Sequence, residues 1–339
     1  MKALITGATG FVGSHLARTL LQRGDSVRIL ARTEAKAESL RNAGAEVRLG
    51  DLADPGGVRG LAEGAEVVFH LGSAMSGSAE QFDRVDVQGT ERLLLEAERA
   101  GVRRFVYAGT LSGYPLAQKG DGAVIDEHCG FDETGLLGNY ARAKARAEAS
   151  VLAANGRGRM EGVIVRLGLV CGVGASVLPA HVCRAVTRNL VIVFGDGSIP
   201  LPLTFVDNAI DALILGATVP GIAGESFNIV DDDVLTQRDY LTLFRQASGA
   251  ALRVIRMPRM AYYAMGLLSE VAAAVRHKEP ATNRYRVRTR LMRVRWDCSK
   301  AHRLLRWQPR VPLRVGLADL FRAYGGVAGP PETPPPPAL

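Results

Sequence analysis

A chain of 339 residues exceeds the ~100–200 typical of one domain, so one large or two closely joined domains are expected. Hydrophobic residues make up 47% and charged residues 22%, the balance of a water-facing globular protein with ample core, and no apolar run reaches the ~18 residues of a membrane span. The net charge of +8 is concentrated: from Arg284 to Arg314 eleven Lys/Arg stand against Asp297 alone, +10 in that segment and about −2 elsewhere. No zinc-finger, RNA-binding or helix-turn-helix pattern accompanies it, so nucleic acid is not an expected partner.

After Met1-Lys2 the apolar run Ala3-Leu4-Ile5 stops at Thr6-Gly7, too short for the core of an export signal. Cys129, Cys171, Cys183 and Cys298 show no Cys-x-x-Cys spacing, so reduced, packed thiols in a cytoplasmic protein are expected, and no metal site. Ala3-Leu4-Ile5, Val27 to Leu30, Glu46 to Leu49, Val67 to Phe69 and Phe105 to Tyr107 are short β-type runs. Amphipathic stretches lie between them, Val12 to Leu21 and Glu91 to Ala100 among them, and a sixth strand, Gly162 to Arg166, follows a helix at about 139–154. Such alternation implies βαβ units and an α/β doubly wound parallel sheet over residues 1–166. From residue 167 glycine and proline punctuate the pattern, and residues 208–217, 237–247, 258–275 and 312–324 read as helices. A smaller, mostly helical substrate region is therefore expected over 167–325, partly interleaved with the first, followed by a disordered proline-rich tail over 326–339.

Strand one runs straight into Gly7-Ala8-Thr9-Gly10-Phe11-Val12-Gly13 and then a helix. The glycines allow a tight turn and close backbone approach, and the helix start offers free N–H groups, which together suit a dinucleotide pyrophosphate. Gly7, Thr9, Gly10, Phe11, Val12 and Gly13 are the expected cradle. At the end of strand two, where an acidic residue would hold a ribose diol, the chain reads Leu30-Ala31-Arg32-Thr33 with Lys36 nearby. An arginine there suits a 2′-phosphate, which favours NADP over NAD. Asp51-Leu52 is placed for the adenine, and His70-Leu71-Gly72-Ser73-Ala74 is expected to run under the ribose and nicotinamide.

Strand five leads to Ala108-Gly109-Thr110-Leu111-Ser112-Gly113-Tyr114, and some thirty residues on comes Asn139-Tyr140-Ala141-Arg142-Ala143-Lys144. Tyrosine and lysine at i and i+4 share a helix face. A phenol titrates near ~10, and a neighbouring ammonium favours its ionised form. Tyr140 is thus a candidate acid/base, Lys144 its partner and a ribose ligand, and Thr110 a hydroxyl that fixes the substrate oxygen.

Here the sequence resembles the extended short-chain dehydrogenase/reductase family over roughly residues 1–325. The resemblance is carried by the glycine turn, Asp51-Leu52, His70-Leu71, Gly89-Thr90, Phe105-Val106-Tyr107 with Thr110, and Tyr140/Lys144. It continues through Val165-Arg166 before Cys171-Gly172, Gly195-Asp196-Gly197, Phe205-Val206-Asp207-Asn208 and Asp297-Cys298-Ser299-Lys300-Ala301. It implies an oxidoreductase with catalytic Tyr140, Lys144 and Thr110, the last in place of the more usual serine. Three positions depart from the family's pattern: Asp86 where asparagine is common, Leu167 where a proline follows the sixth strand, and Thr110 itself.

Sugar-nucleotide enzymes of this family carry Arg-Asp just before the Phe-Val-Asp segment, and this chain has Ile199-Pro200-Leu201-Pro202-Leu203-Thr204 instead. It resembles the 3β-hydroxysteroid dehydrogenase-like branch, which implies an apolar alcohol or ketone as substrate. Ser112, Tyr114, Leu169 and Tyr262 are expected at the substrate and Leu167 at the cofactor. The alternative is a nucleotide sugar held by arginines of 284–295, and a third reading, an NADP-sensing regulator, is opposed by the retained Tyr140 and Lys144. A homodimer is expected, with residues 257–275 or the basic segment 284–314 as candidates for peripheral membrane contact.

Overall fold

Runs of Val, Ile, Leu and Phe pair side by side into one sheet, because strands buried on both faces need apolar side chains on both. The computed structural model describes residues 1–155, 160–187, 189–276 and 280–324. Its central strands are β1 (Lys2–Thr6), β2 (Ser26–Ala31), β3 (Glu46–Leu49), β4 (Val67–His70), β5 (Arg104–Thr110), β6 (Glu161–Leu167) and β7 (Ser226–Ile229). They lie in the order β7-β6-β5-β4-β1-β2-β3 and all pair in parallel. The connecting helices cover both faces. On one, α1 (Phe11–Gln22) turns Leu16, Ala17 and Leu20 inward. Beside it on the same face, α2 (Glu34–Asn42) adds Ala37 and Leu40 to that core, and on the other face α3 (Gln88–Arg99) and α4 (Asn139–Ala154) pack on each other over Phe105, Tyr107 and Ile164. This is the doubly wound α/β sheet expected from the alternation.

The chain leaves the sheet after β6 and returns to it. Leu169–Cys171 pairs in parallel with Leu203–Phe205, α5 (Val206–Thr218) packs back beside α1, and β7 closes the edge next to β6. A separate three-stranded sheet, Arg184–Thr187, Leu190–Phe194 and Arg253–Met257, stands beyond it. The remaining helices of eight residues or more among the described residues are α6 (Gln237–Ser248), α7 (Arg259–Arg276), α8 (Arg284–Leu291) and α9 (Leu313–Tyr324). The small sheet, β7 and α8 have no counterpart in the sequence reading. The proline-rich tail over 326–339 lies outside the described residues.

The basic segment is not one cationic face. Arg284 pairs with Glu270, Arg293 with Asp196, Arg310 with Asp211 and Arg314 with Asp233, so much of its charge is neutralised locally.

Arg166 and Glu148 form an ion pair in the interior, with side chains 8% and 4% exposed. Arg166 Nε donates to Glu148 Oε1 at 2.9 Å and Oε2 at 3.2 Å, and Nη1 donates to the Tyr114 hydroxyl at 2.5 Å. That hydroxyl in turn donates to Asn228 Oδ1 at 2.7 Å, so β6, α4, the segment after β5 and β7 meet in one network. Glu148→Leu alone strands the guanidinium and should cost about 3–5 kcal/mol in urea denaturation, whereas Glu148→Leu with Arg166→Met should recover most of it. Equal losses for the single and double variants would show that the charge pairing is not what holds these elements.

Candidate active site

The glycine turn is built for close approach. Gly7 has φ +73°, and a Cβ there would lie 2.6 Å from Gly72 N and the Leu71 carbonyl carbon; a Cβ at Gly13 would lie 2.2 Å from Gly7 O. Gly10 precedes α1 with no side chain capping the helix, so the first-turn N–H groups are left for a ligand. Thr9 is exposed while Phe11 and Val12 are half-buried. Gly172, in the loop after Cys171, comes down on Phe11, and His15 Nε2 lies 2.9 Å from Val173 O. The turn thus leaves backbone and free N–H groups, and no Cβ at Gly7, Gly10 or Gly13, at the start of α1.

A buried polar chain connects this turn to the catalytic end. Gly72 N–H donates to Thr6 Oγ1 at 3.3 Å, Thr6 Oγ1 is 2.6 Å from His70 Nδ1, His70 Nε2 is 2.8 Å from Thr90 Oγ1, and Thr90 donates to the Asp86 carbonyl. Burial first, and then the Lys144 charge, pull the His70 imidazole down to about 3, so it stays neutral and serves as a spacer. Leu52 is buried against Gly72 and Gly89, and Asp51 Oδ1 accepts from Ala53 N–H at 2.9 Å at the end of β3. Arg32 is exposed at the tip of β2 with no ion-pair partner among the described residues. Glu34, the nearest acid in sequence, is held by Arg41.

Thr110, Tyr140 and Lys144 are brought together as expected from their spacing. The Thr110 hydroxyl hydrogen-bonds the Tyr140 phenol and donates to Ser112 Oγ at 3.1 Å, and Leu167 lies opposite Thr110 across the β5–β6 register. Lys144 Nζ donates to Ala108 O at 2.7 Å and lies 4.2 Å from the centre of the Tyr107 ring. The electrostatics differ from the simple expectation. Burial, followed by the nearby Asp86 charge, pushes the Tyr140 phenol up to about 12, and burial lowers Lys144 to about 8. A phenol so placed is neutral at physiological pH and holds a proton to donate.

Two acids beside Lys144 escaped the sequence reading as site residues. Glu148 is one helical turn beyond it, the third member of the Tyr140–Lys144–Glu148 stripe at i, i+4 and i+8, a signal that was available. Asp86 sits 1% exposed in the wide turn Asp83–Val87, where Ser73 Oγ donates to one carboxylate oxygen and Ala74 N–H to the other at 3.0 Å. It fixes the segment expected to lie under the nicotinamide.

Two expected substrate residues face elsewhere. Tyr114 is 1% exposed, its hydroxyl committed to Arg166 and Asn228, so it is part of the buried network and not a substrate contact. Tyr262 is also 1% exposed, stacked on Phe194 at 4.1 Å between ring centres, so its ring is committed to packing. Ser112 and Leu169 are half-buried, beside Thr110 and opposite Leu203 respectively.

Asp86→Asn gives a signed test of the charge balance. The Asp86 charge holds the Lys144 pKa up, so removing it lets that pKa fall below about 8. The ammonium is then lost at lower pH, and the alkaline limb of the kcat–pH profile should move to lower pH. An unchanged limb, or one moved upward, would show that Asp86 does not act on Lys144.

The family model described as "NAD dependent epimerase/dehydratase family" matches residues 3–229. A 4-hydroxy-2-methyl-3-oxo-4-farnesyl-3,4-dihydroquinoline-1-oxide ketoreductase of Stigmatella aurantiaca is 31% identical over 339 residues, 97% of this chain and 98% of the relative. A 3 beta-hydroxysteroid dehydrogenase/Delta 5-->4-isomerase of Mycobacterium tuberculosis is 30% identical over 273 residues, 76% of this chain and 71% of the relative. The UDP-glucose 4-epimerase of Thermotoga maritima shares the fold with a TM-score of 0.74 at 21% identity, covering 95% of this chain and 99% of its own. The chain belongs to the NAD-dependent epimerase/dehydratase family, as an extended short-chain dehydrogenase/reductase of the 3β-hydroxysteroid dehydrogenase-like branch.

Proposed function

We propose that this protein is an NADP-dependent oxidoreductase that interconverts a ketone and a secondary alcohol on an apolar substrate. The observation that carries the substrate class is the stretch before Val206. Ile199, Leu201, Leu203 and Thr204 are all buried and no cation stands among them, so the grip on a diphosphate expected there in sugar-nucleotide enzymes is missing. Relatives named as a ketoreductase and a steroid dehydrogenase support the same class. The unpaired Arg32, with Lys36 on the first turn of α2, supports a 2′-phosphate and hence NADP.

With its pyrophosphate on Gly7 to Gly13 and its nicotinamide over His70 to Ala74, the cofactor would supply or accept a hydride. In the reductive direction Tyr140, protonated up to about 12, gives its proton to the ketone oxygen while the Thr110 hydroxyl holds that oxygen. Lys144, charged below about 8, offers an ammonium to the ribose. Tyr140→Phe should lower turnover of lipophilic ketones by ~10²–10⁴-fold with cofactor affinity nearly intact. Arg32→Asp should weaken NADP binding more than tenfold, the scale of a lost charge-assisted contact. A Tyr140→Phe enzyme of near-native rate, or a native enzyme that binds NAD and NADP equally in calorimetry, would overturn the respective assignment.

Helix α7 favours contact with an anionic lipid surface. Met260, Ala264, Leu267, Leu268, Val271 and Val275 recur at helical spacing on its outer side, and Met260, Leu268 and Val275 are 78%, 68% and 76% exposed. Glu270 is turned to Arg284, and Arg256 and Arg276 flank the stripe with no ion-pair partner among the described residues. A twofold-related second copy would set these cations against each other, whereas phosphatidylglycerol headgroups neutralise them. No described helix is long and apolar enough to cross a membrane. The protein should co-sediment with phosphatidylglycerol vesicles and not with phosphatidylcholine vesicles, and Leu268→Asp with Val275→Asp should abolish it. Failure to sediment, or a dimer that the same variant dissociates, would refute the lipid contact.

A further inference from the structure

Tyr107 is a buried titratable residue that the proton transfer does not use. It stands in β5 between Val106 and Ala108, opposite His70 across the β4–β5 register, and is 1% exposed. Its ring lies in the apolar cluster that includes Leu94, Ala147 and Ile164. Its hydroxyl is sealed from solvent and has no hydrogen-bond partner among the described residues. A buried hydroxyl without a partner is costly, so packing alone favours a purely apolar side chain here. Burial, then the neighbouring Asp86, Tyr140 and Glu148, hold this phenol well above its usual range, so it stays protonated and does not compete with Tyr140 as the acid.

The ring faces the ammonium of Lys144. Lys144 is 4% exposed, and its Nζ stands 4.2 Å from the ring centre while donating to Ala108 O at 2.7 Å. Asp86 and Glu148 favour the charged form of Lys144 through space only. Both are engaged elsewhere, Asp86 with Ser73 Oγ and Ala74 N–H, and Glu148 with Arg166 from β6. Tyr140 on the same helix and His70 from β4 are neutral. The direct partners of this desolvated cation are therefore one carbonyl and one aromatic face. The face of a phenol ring carries the negative side of its quadrupole and attracts a cation within about 6 Å, most strongly out of water. Ring and carbonyl come from adjacent residues of one buried strand, so β5 itself sets where both stand.

We propose that Tyr107 is a positioning residue for this reaction: its ring face, with the Ala108 carbonyl, seats the Lys144 ammonium so that its other N–H donors address the cofactor ribose. The inference rests on the reading of Lys144 as the ribose-binding ammonium. It assigns the work to the ring and none to the hydroxyl, so phenylalanine should replace the residue and an aliphatic side chain should not.

NMR of the full chain carrying isotope-labelled lysine tests this, with the Lys144 Cε resonance assigned by its loss in Lys144→Met. Tyr107→Leu removes a contact that favours the cation, so the pH at which Lys144 loses its charge should fall by about one unit, the scale of a desolvated cation–π contact. The alkaline limb of the kcat–pH profile should move down with it, and Tyr107→Phe should leave both where they are. Tyr107→Met, close in volume and without a ring, decides the outcome if the leucine variant melts early. A Lys144 titration that stays in place in the folded ring-less variant, or that falls as far in Tyr107→Phe, overturns the proposal. A titration that falls as expected while the alkaline limb stays keeps the seat and overturns the reading of Lys144 as the ammonium on which turnover depends.

Discussion

Glu148 is where the interior electrostatics of the molecule close. Arg166 points from near the end of β6 into a space lined by Tyr114 and Phe131, its guanidinium 5.4 and 4.6 Å from their ring centres and its side chain 8% exposed. Only a carboxylate from the neighbouring helix makes that charge tolerable, and Glu148 is the residue that α4 presents. Because Tyr140 and Lys144 lie on the same stripe of α4, pinning Glu148 to β6 fixes the rotation of the catalytic helix about its axis. Tyr114 and Asn228 extend the constraint to the segment after β5 and to β7. The position of the phenol relative to Thr110 is thus set from below, by a charge pair that never meets substrate.

The same pair shapes the chemistry above it. Glu148 and Asp86 both favour the charged form of Lys144 against a strong burial penalty, while Asp86 disfavours ionisation of Tyr140. The resting site therefore holds a neutral phenol and an ammonium that is only moderately secure. That state suits proton donation to a ketone. The polar chain from Thr6 through His70 and Thr90 ties this charge balance to the glycine turn, so the two ends of the cofactor site share one rigid floor.

The first six strands were legible because parallel strands buried on both faces demand continuous apolar runs, and β1, β4 and β5 have them. β7 was not, since Ser226, Phe227, Asn228 and Ile229 are all buried yet only two are apolar; Asn228 is held by Glu127 at its N–H and by Tyr114 at its Oδ1, both distant in sequence. Tyr140 and Lys144 could be found from helical spacing together with their place after the fifth strand, and Glu148 by extending the stripe. Tyr114 was misread because a tyrosine among glycines after a strand looks accessible. The cue to its burial was Arg166, a lone charge in the run Val163-Ile164-Val165-Arg166-Leu167, which must find partners inside. Pairing of the basic segment with acids up to 99 residues away is set by tertiary folding and leaves no trace in local pattern.

The return of the chain to the sheet at β7 has a mechanical meaning. Polypeptide crosses between the cofactor-binding body and the outer region at 167–169, again near 205, and once more after 229. The crossings are stitched together by Leu169 N–H to Pro202 O at 2.6 Å and by Phe205 N–H to the Asp231 carboxylate at 2.9 Å. Two lobes joined in this way cannot swing about a single hinge without shearing buried hydrogen bonds. Loop 172–183 rests on α1 through His15 and Phe11, so a local displacement of this loop would be felt at the glycine turn.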